Sequence, residues 1–311
     1  MSILIAADHG NFACKSQNFS FMSALHELPG RATIQETDIV EYKDHIWTLS
    51  NERIRYMKDK TQDDRFFILT LFMIAKELEH MGKQSPLAEI DLAVGLPPEH
   101  YSMLRDKFKA YFQRGKVNFV YNNRPLCVII RHVFVFPQAY AAVAPHAQDL
   151  VNVPRVFAID IGAYTIDLLL IRDGRPDLQF CRSLEDGVIT MYNPIIAQTG
   201  AKHDMLIDEG HINAVLQNRR TGLPSDIQTS IREAVSQHAD RILNQLRELK
   251  VDLRANPAIF IGGGSLMLRK YLEKSPLVRQ ATFETDPRAN AIGYKLLAAR
   301  QLEKMGDKRE G

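Results

Sequence analysis

Ile5-Ala6-Ala7-Asp8-His9-Gly10 recurs in outline as Phe157-Ala158-Ile159-Asp160-Ile161-Gly162. Each copy is an apolar run ending in an aspartate, any residue and a glycine. A strand that delivers Asp at its tip, with a Gly turn behind it, can hold a phosphate and its metal. Glycine lets the backbone approach phosphate oxygens with no Cβ in the way, and loop N–H groups cradle them. Two such tips, about half a chain apart, point to two related halves facing one nucleotide.

Around the first tip, Asn11, Phe12 and Lys15 complete a loop in which lysine supplies a point charge to phosphate. Asp8 suits magnesium, which keeps several waters and takes one or two carboxylates. His9 reads as a loop residue. Around the second tip, Gly162-Ala163-Tyr164-Thr165 precedes Asp167. Asp167 alternates with Ile166 and Leu168, so it either serves this site or faces solvent. A third strand, Ile259–Ile261, runs into Gly262-Gly263-Gly264-Ser265 and then a helix, which is an approach loop for an anion or nucleotide by the same logic. Neither the G-x-x-x-x-G-K-[ST] phosphate loop nor the G-x-G-x-x-G dinucleotide fingerprint is present.

The 311 residues are enough for two medium domains, and 45% hydrophobic with 24% charged residues is ordinary globular composition. A net charge of +2 offers no basic field for nucleic acid. Cys14, Cys127 and Cys181 are scattered, with no C-x-x-C pair, so neither a disulfide framework nor a zinc site is expected. That usage predicts a reducing, cytoplasmic compartment. The start of the chain lacks a basic n-region, so no signal peptide is expected. Leu126–Pro145 is the most apolar stretch, but Arg131, His132 and Pro137 interrupt it too often for a membrane span.

Apolar spacing predicts strands at Ser2–Ala7, Ile90–Leu96, in Pro125–Phe136, within Arg155–Arg172 and finally at Ala258–Ile261. Ala32–Leu49 reads as a small hairpin region. Helices are expected at Arg65–Met81 with one packed face, Glu99–Arg114, Pro137–Ala144, Asp208–Asn218, Ser225–Leu249 and Ala289–Lys304, with a charged tail after it. Ser225 and Gln228 form a capping-box pattern. The stripe Ile227, Ile231, Val235, Ala239, Ile242, Leu246 and Leu249 reads as core, with a partner contact as the minor alternative. Alternating strands and helices predict an α/β protein with mainly parallel sheets. The polar, proline-bounded Pro145–Pro154 marks the domain boundary.

The order Asp-x-Gly, Asp-x-Gly, Gly-Gly-Gly resembles the actin-like ATPase superfamily of actins, sugar kinases and heat-shock chaperone ATPases. Asp8-x-Gly10 with Lys15 resembles its first phosphate motif and Phe136-Pro137-Gln138-Ala139 its first connection. Asp160-x-Gly162 with Thr165 and Asp167 resembles the second phosphate motif, Ile261–Gly264 the adenosine motif, and Asn290-Ala291-Ile292-Gly293 the second connection.

Within the superfamily the chain is most similar to ParM-type plasmid-segregating actins. The Asp-x-Gly-x-x-x-x-Lys spacing, Ile90–Pro97 with Tyr101, Leu184–Ile189 with Gly187, and Phe283-Glu284-Thr285 leading into Asn290–Gly293 carry that likeness. Two departures stand out. Ala163-Tyr164 replaces a small Gly-Thr-type pair, so phosphate contact there is expected through backbone amides and Thr165. Gln138 stands where ParM has a glutamate.

The resemblance implies a ribonuclease H-like, actin-like two-domain α/β fold: duplicated mixed sheets flanked by helices, with an interdomain nucleotide cleft. It implies domain I over 1–150, with an insert at about 31–89, and domain II over 151–311, with an insert at about 186–255. ATP or ADP would bind with Mg2+, held by Asp8 and Asp160. Gln138 would orient the attacking water, and Asp160 would hold a magnesium-bound water or accept a proton. Glu209 is a candidate near the ribose, although an acid at a helix start also serves the helix dipole. The implied partners are further copies in a head-to-tail filament and a DNA-bound adaptor of a partition system, with no direct nucleic-acid or membrane contact. The alternatives are a small-molecule, sugar-type kinase and a non-segregating cytoskeletal regulator.

Overall fold

The computed structural model describes residues 2–30, 38–83 and 85–307. Residues 31–37 of the expected hairpin region and the last residues of the tail lie outside these. The chain divides into two compact units, Met1–Gln148 with Arg288–Gly311, and Asp149–Pro287. The C-terminal helix belongs to the first unit, where a linear division at 150 puts it in the second.

The first unit carries strands β1 (Ile3–His9), β2 (Ala13–Ser16), β3 (Ser20–Met22), β4 (Leu25–Leu28), β5 (Ile39–Tyr42), β6 (His45–Leu49), β7 (Leu87–Leu96), β8 (Lys116–Tyr121) and β9 (Arg124–Pro137). They form one sheet in the order β3-β2-β1-β7-β9-β8-β5-β6-β4. Its helices are α1 (Arg65–His80), α2 (Pro98–Phe112), the short α3 (Tyr140–Val143) and α4 (Ala147–Leu150), and the C-terminal α9 (Ala289–Asp307). Strand periodicity sorts β1 between two cores. Ile5 and Ala7 join the core under α1 and α2. Ala6 joins Ala93, Phe134, Phe136 and Tyr294, where α9 packs. That parity sends Asp8 to the α9 side of the sheet and His9 to the other.

The second unit carries β10 (Arg155–Ile161), β11 (Ile166–Arg172), β12 (Arg175–Leu184), β13 (Ala258–Ile261) and β14 (Ala281–Phe283), in the order β12-β11-β10-β13-β14. Its helices are α5 (Val188–His203), α6 (Glu209–Leu216), α7 (Ser225–Glu248) and α8 (Gly262–Lys274). The duplication written in the two Asp-x-Gly copies is visible in this topology. In both sheets an antiparallel meander of three strands is followed by two parallel ones: β3-β2-β1 then β7 and β9, and β12-β11-β10 then β13 and β14.

Several expectations are corrected. The sheets are mixed, not mainly parallel, because three-to-four-residue turns after Asp8 and Asp160 permit only antiparallel pairing. Lys15 sits on β2, directly opposite Asp8, instead of in a loop. Helix α1 is buried on every side from Phe66 to Ala75: strands β1, β2 and β5 of the sheet pack on it, and Tyr111 of α2 lies against Phe67. Pro137 ends β9 and starts no helix. The Ser225–Gln228 capping box does not form: Pro224 is the N-cap, and Gln228 donates to the Leu223 carbonyl. The capping box of this unit belongs to α6, between Asp208 and His211. The predicted α7 stripe is core from Ile227 to Leu246, and β14 adds an edge strand beyond Ala258–Ile261.

Candidate functional site

At the first tip, Asp8 is almost wholly buried. Gln138 Nε2 donates to its Oδ1 at 2.9 Å, the Tyr294 hydroxyl donates to the same oxygen at 3.4 Å, and Lys15 Nζ lies 3.8 Å from Oδ2. Two segments distant in sequence, together with the neighbouring strand β2, therefore converge on one carboxylate. Tyr294 gives no signal in the sequence beyond its place after Gly293. Its room comes from Gly95, where an added Cβ would fall 2.0 Å from the phenol oxygen.

Gln138 is aimed by an unusual turn. Ala139 has φ 60° and ψ −51°, and Tyr140 N–H donates to the Gln138 carbonyl at 2.6 Å, a γ-turn of the strained positive-φ kind. Such strain persists only where surroundings over-determine it. Here Gln138 N–H donates to Leu96 O at 2.8 Å, and the Asn290 side chain accepts from Ala139 N–H at 3.0 Å. The first and second connecting motifs thus brace each other.

The rest of the first loop is fastened by residues 53–60. Asn11 spends its side chain on Met57, accepting from its N–H at 3.1 Å and donating to its carbonyl at 3.3 Å. The Phe12 ring carries the Arg53 guanidinium 5.0 Å from its centre. Buried Lys60 donates to the His9 carbonyl. His9 is the last residue of β1, not a loop residue. Its ring is fully buried, stacked 4.8 Å from Phe112, with Nε2 2.7 Å from Thr70 Oγ1. Burial and the nearby Lys60 charge push its pKa down to about 3.

At the second tip, Asp160 and Asp167 stand opposite each other across β10–β11 and share a face. Asp167 is buried, 5% exposed, so the solvent-facing alternative is wrong; Thr165 Oγ1 donates to it at 3.3 Å. The loop between them has a defined polarity. Gly187, Val188 and Ile189, at the start of α5, donate their N–H groups to the carbonyls of Tyr164, Gly162 and Ala163 at 3.1, 3.2 and 2.9 Å. In a trans peptide each carbonyl opposes the next N–H. The amides of Ala163, Tyr164 and Thr165 are therefore turned away from α5, the arrangement of an anion cradle. That polarity is a property of the backbone, whatever side chain position 164 carries.

The glycine triplet is the first turn of α8. Gly262 holds φ +87°, and a Cβ there would lie 2.4 Å from Asp160 Oδ1; one at Gly263 would meet nothing within 4 Å. Ser265 is buried and donates its hydroxyl to the Ile261 carbonyl, so it is occupied within its own helix. Glu209 opens α6, which packs on α5 and α7. A groove of about 580 Å³ lined by Tyr42, His45, Phe119 and Leu126 holds none of the candidate residues.

Among the described residues no three His, Cys, Asp or Glu side chains gather into a protein-made metal cage. The donor set still fits magnesium carried by a nucleotide, which needs only one or two carboxylates. Asp160 and Asp167, directly opposed across β10–β11, place two carboxyl groups on one face of the sheet.

The family model described as actin like proteins, N terminal domain, matches residues 20–140. The model described as archaeal actin homologue MreB-like, C-terminal, matches residues 158–274. No curated protein matches the sequence. Among solved structures, the archaeal actin homologue Ta0583 superposes with a TM-score of 0.77 at 18% identity, covering 96% of this chain and 99% of that one. Its complex with ADP gives 0.73 at 18% identity, over 96% and 99% of the chains. A 15-stranded ParM filament from Clostridium botulinum gives 0.72 at 16% identity, over 96% and 99%. The chain belongs to the actin-like proteins and has their two-domain α/β fold. Among the described residues no helix is long and apolar enough to cross a membrane.

Proposed function

We propose that this protein binds and hydrolyses ATP with magnesium and assembles head to tail into dynamic filaments. The observation that carries this reading is the convergence of Gln138, Lys15 and Tyr294 on Asp8. The amide cradle of Ala163–Thr165 supports it from the second tip. An ADP complex of one similar structure and the filament state of another lend it further support.

Magnesium would be taken by Asp8 and Asp160 and would supply charge neutralisation on the phosphates. Lys15 adds a positive charge beside Asp8. A carboxylate only accepts, so the Gln138 NH2 group faces Asp8 and its Oε1 is left to accept from a water. Gln138 therefore orients the attacking water without abstracting a proton. The Ala163, Tyr164 and Thr165 amides hold phosphate oxygens. Asp160 would help to hold the metal's water, or would take the proton released in the attack. Glu209 is retained as a contact to the ribose, and Gly262–Gly264 as the approach to the adenosine.

Head-to-tail contacts between identical subunits are heterologous and give open filaments in place of closed rings. In a cytoplasmic setting such a filament would move plasmid DNA through a DNA-bound adaptor. Electron microscopy and light scattering of the purified chain with ATP and Mg2+ test the core of this reading. Filaments that form with ATP and shorten as phosphate is released are expected. ATP turnover that needs an added sugar, with no polymer at any concentration, would instead establish a kinase.

A further inference from the structure

The carbonyls of the second phosphate loop rest on the first three amides of α5, and the residue just before those amides is Asp186. Asp186 is 8% exposed, and both its oxygens are engaged. Arg241, on α7, donates Nε to Oδ2 at 2.9 Å and Nη2 to Oδ1 at 3.0 Å, a two-pronged pair. Thr190 Oγ1 donates to Oδ1 at 2.6 Å. The second proton of Arg241 Nη2 goes to His238 Nδ1 at 2.7 Å, so His238 steadies the guanidinium.

We propose that the Arg241–Asp186 pair is a latch that sets the nucleotide affinity of the second phosphate loop, with Arg241 as a positioning residue that touches no nucleotide. This rests on the reading above that the loop holds phosphate. The path is short and has no slack. Arg241 fixes Asp186, and the next peptide is Gly187, where an added Cβ would fall 2.4 Å from the Ala163 carbonyl oxygen. A shift of α5 at this point moves the loop with it. The buried stripe from Ile227 to Leu246 also holds α7 in the core, independently of the pair. Only a planar fork reaches both oxygens at once, so lysine is an incomplete substitute.

The test uses the full chain with Mg2+ and a fluorescent N-methylanthraniloyl ADP, alongside steady-state ATP hydrolysis and urea unfolding. Arg241→Gln is expected to weaken ADP binding at least tenfold and raise KM to match, with saturated turnover within about twofold of the unsubstituted chain. Arg241→Lys should recover part of the loss. Asp186→Asn combined with Arg241→Gln should bind no worse than the weaker single variant, because both act through one contact. Unchanged ADP affinity in Arg241→Gln overturns the latch. So does a loss of turnover at constant KM, which marks a smaller folded fraction. Failure of the unsubstituted chain to bind the probe would overturn the nucleotide reading itself, and the latch with it.

Discussion

Gln138 Nε2 donates to Asp8 Oδ1 at 2.9 Å across 130 positions of sequence. That bond joins the end of β9 to the tip of β1 and settles which way round the amide lies. On the proposed assignment, in which Gln138 serves the water and not the nucleotide, Gln138→Ala should slow phosphate release at least tenfold while ADP binding stays within about threefold. If assembly follows ATP and disassembly follows hydrolysis, filaments of this variant should persist longer. Phosphate release at the unsubstituted rate would remove Gln138 from the mechanism.

Asp160 lies under the first turn of α8, and its Oδ1 occupies the space where a Cβ on Gly262 would fall. Asp160→Ala removes the carboxylate proposed to organise water or take its proton, and with it one half of the facing pair with Asp167. Hydrolysis should drop by two orders of magnitude or more, the scale for losing a positioned proton acceptor, while part of the ADP affinity remains. Ordinary turnover in this variant would refute the assignment.

Much of the framework of the candidate site was legible because its residues sit at strand tips. Apolar runs ending in Asp-x-Gly foretold β1 and β10, the run into Gly262-Gly263-Gly264 foretold β13, and the repetition of the first two foretold the matching halves of the two sheets. Helix α7 was readable from its long stripe, since a single buried face imposes one period. What escaped was whatever depends on partners distant in sequence. Helix α1 is buried all round, and no periodicity distinguishes that from a one-faced helix until the elements wrapping it are known. Tyr294, Asn290 and Arg241 act through contacts with Asp8, Ala139 and Asp186, and no local pattern announces such pairings. The short turn at Ala139 was misread as a helix because Pro137 usually begins one.

Gly95 and Tyr294 are a matched pair. An added Cβ on Gly95 would lie 2.0 Å from the phenol oxygen and 2.1 Å from the carbon that bears it. Both residues are enclosed, and Tyr294 stacks on Phe136, so the ring has no free direction in which to retreat. Gly95→Ala should cost about 1–3 kcal/mol, the usual range for an overpacked core. It should also pull the hydroxyl off Asp8. Urea midpoints report the first effect, and the double variant with Tyr294→Ala should lose less than the sum of the two single losses, because removing the ring removes the clash. No change in midpoint would contradict the packing described here.

His9 and His238 give the protein a defined acid sensitivity. Thr70 Oγ1 donates to the Phe66 carbonyl, so it accepts from His9 Nε2–H, and Nδ1 is left buried with no partner. Protonating Nδ1 would place a charge where nothing accepts it, which is why burial, aided by Lys60, holds the pKa near 3 against an ordinary 6.5. His238 is held to about 4 by burial, with the Asp186 charge opposing that shift and Arg241 adding to it. Both folded values are depressed, so the unfolded chain binds these protons more readily. Stability is then complete above about pH 6.5 and falls as pH drops below it. At 1.36 kcal/mol per unit, each histidine removes about 2 kcal/mol between pH 7.5 and pH 5. The aspartates with lowered values, such as Asp186, lose their contribution only below their ordinary range near 3.8, outside this window. His9→Phe keeps an aromatic ring against Phe112 and deletes one of the two titrations, so the loss of stability from pH 7.5 to pH 5 should shrink by roughly half. Urea unfolding at the two pH values measures it, and a loss in His9→Phe equal to that of the unsubstituted chain would show that His9 is not the titrating group.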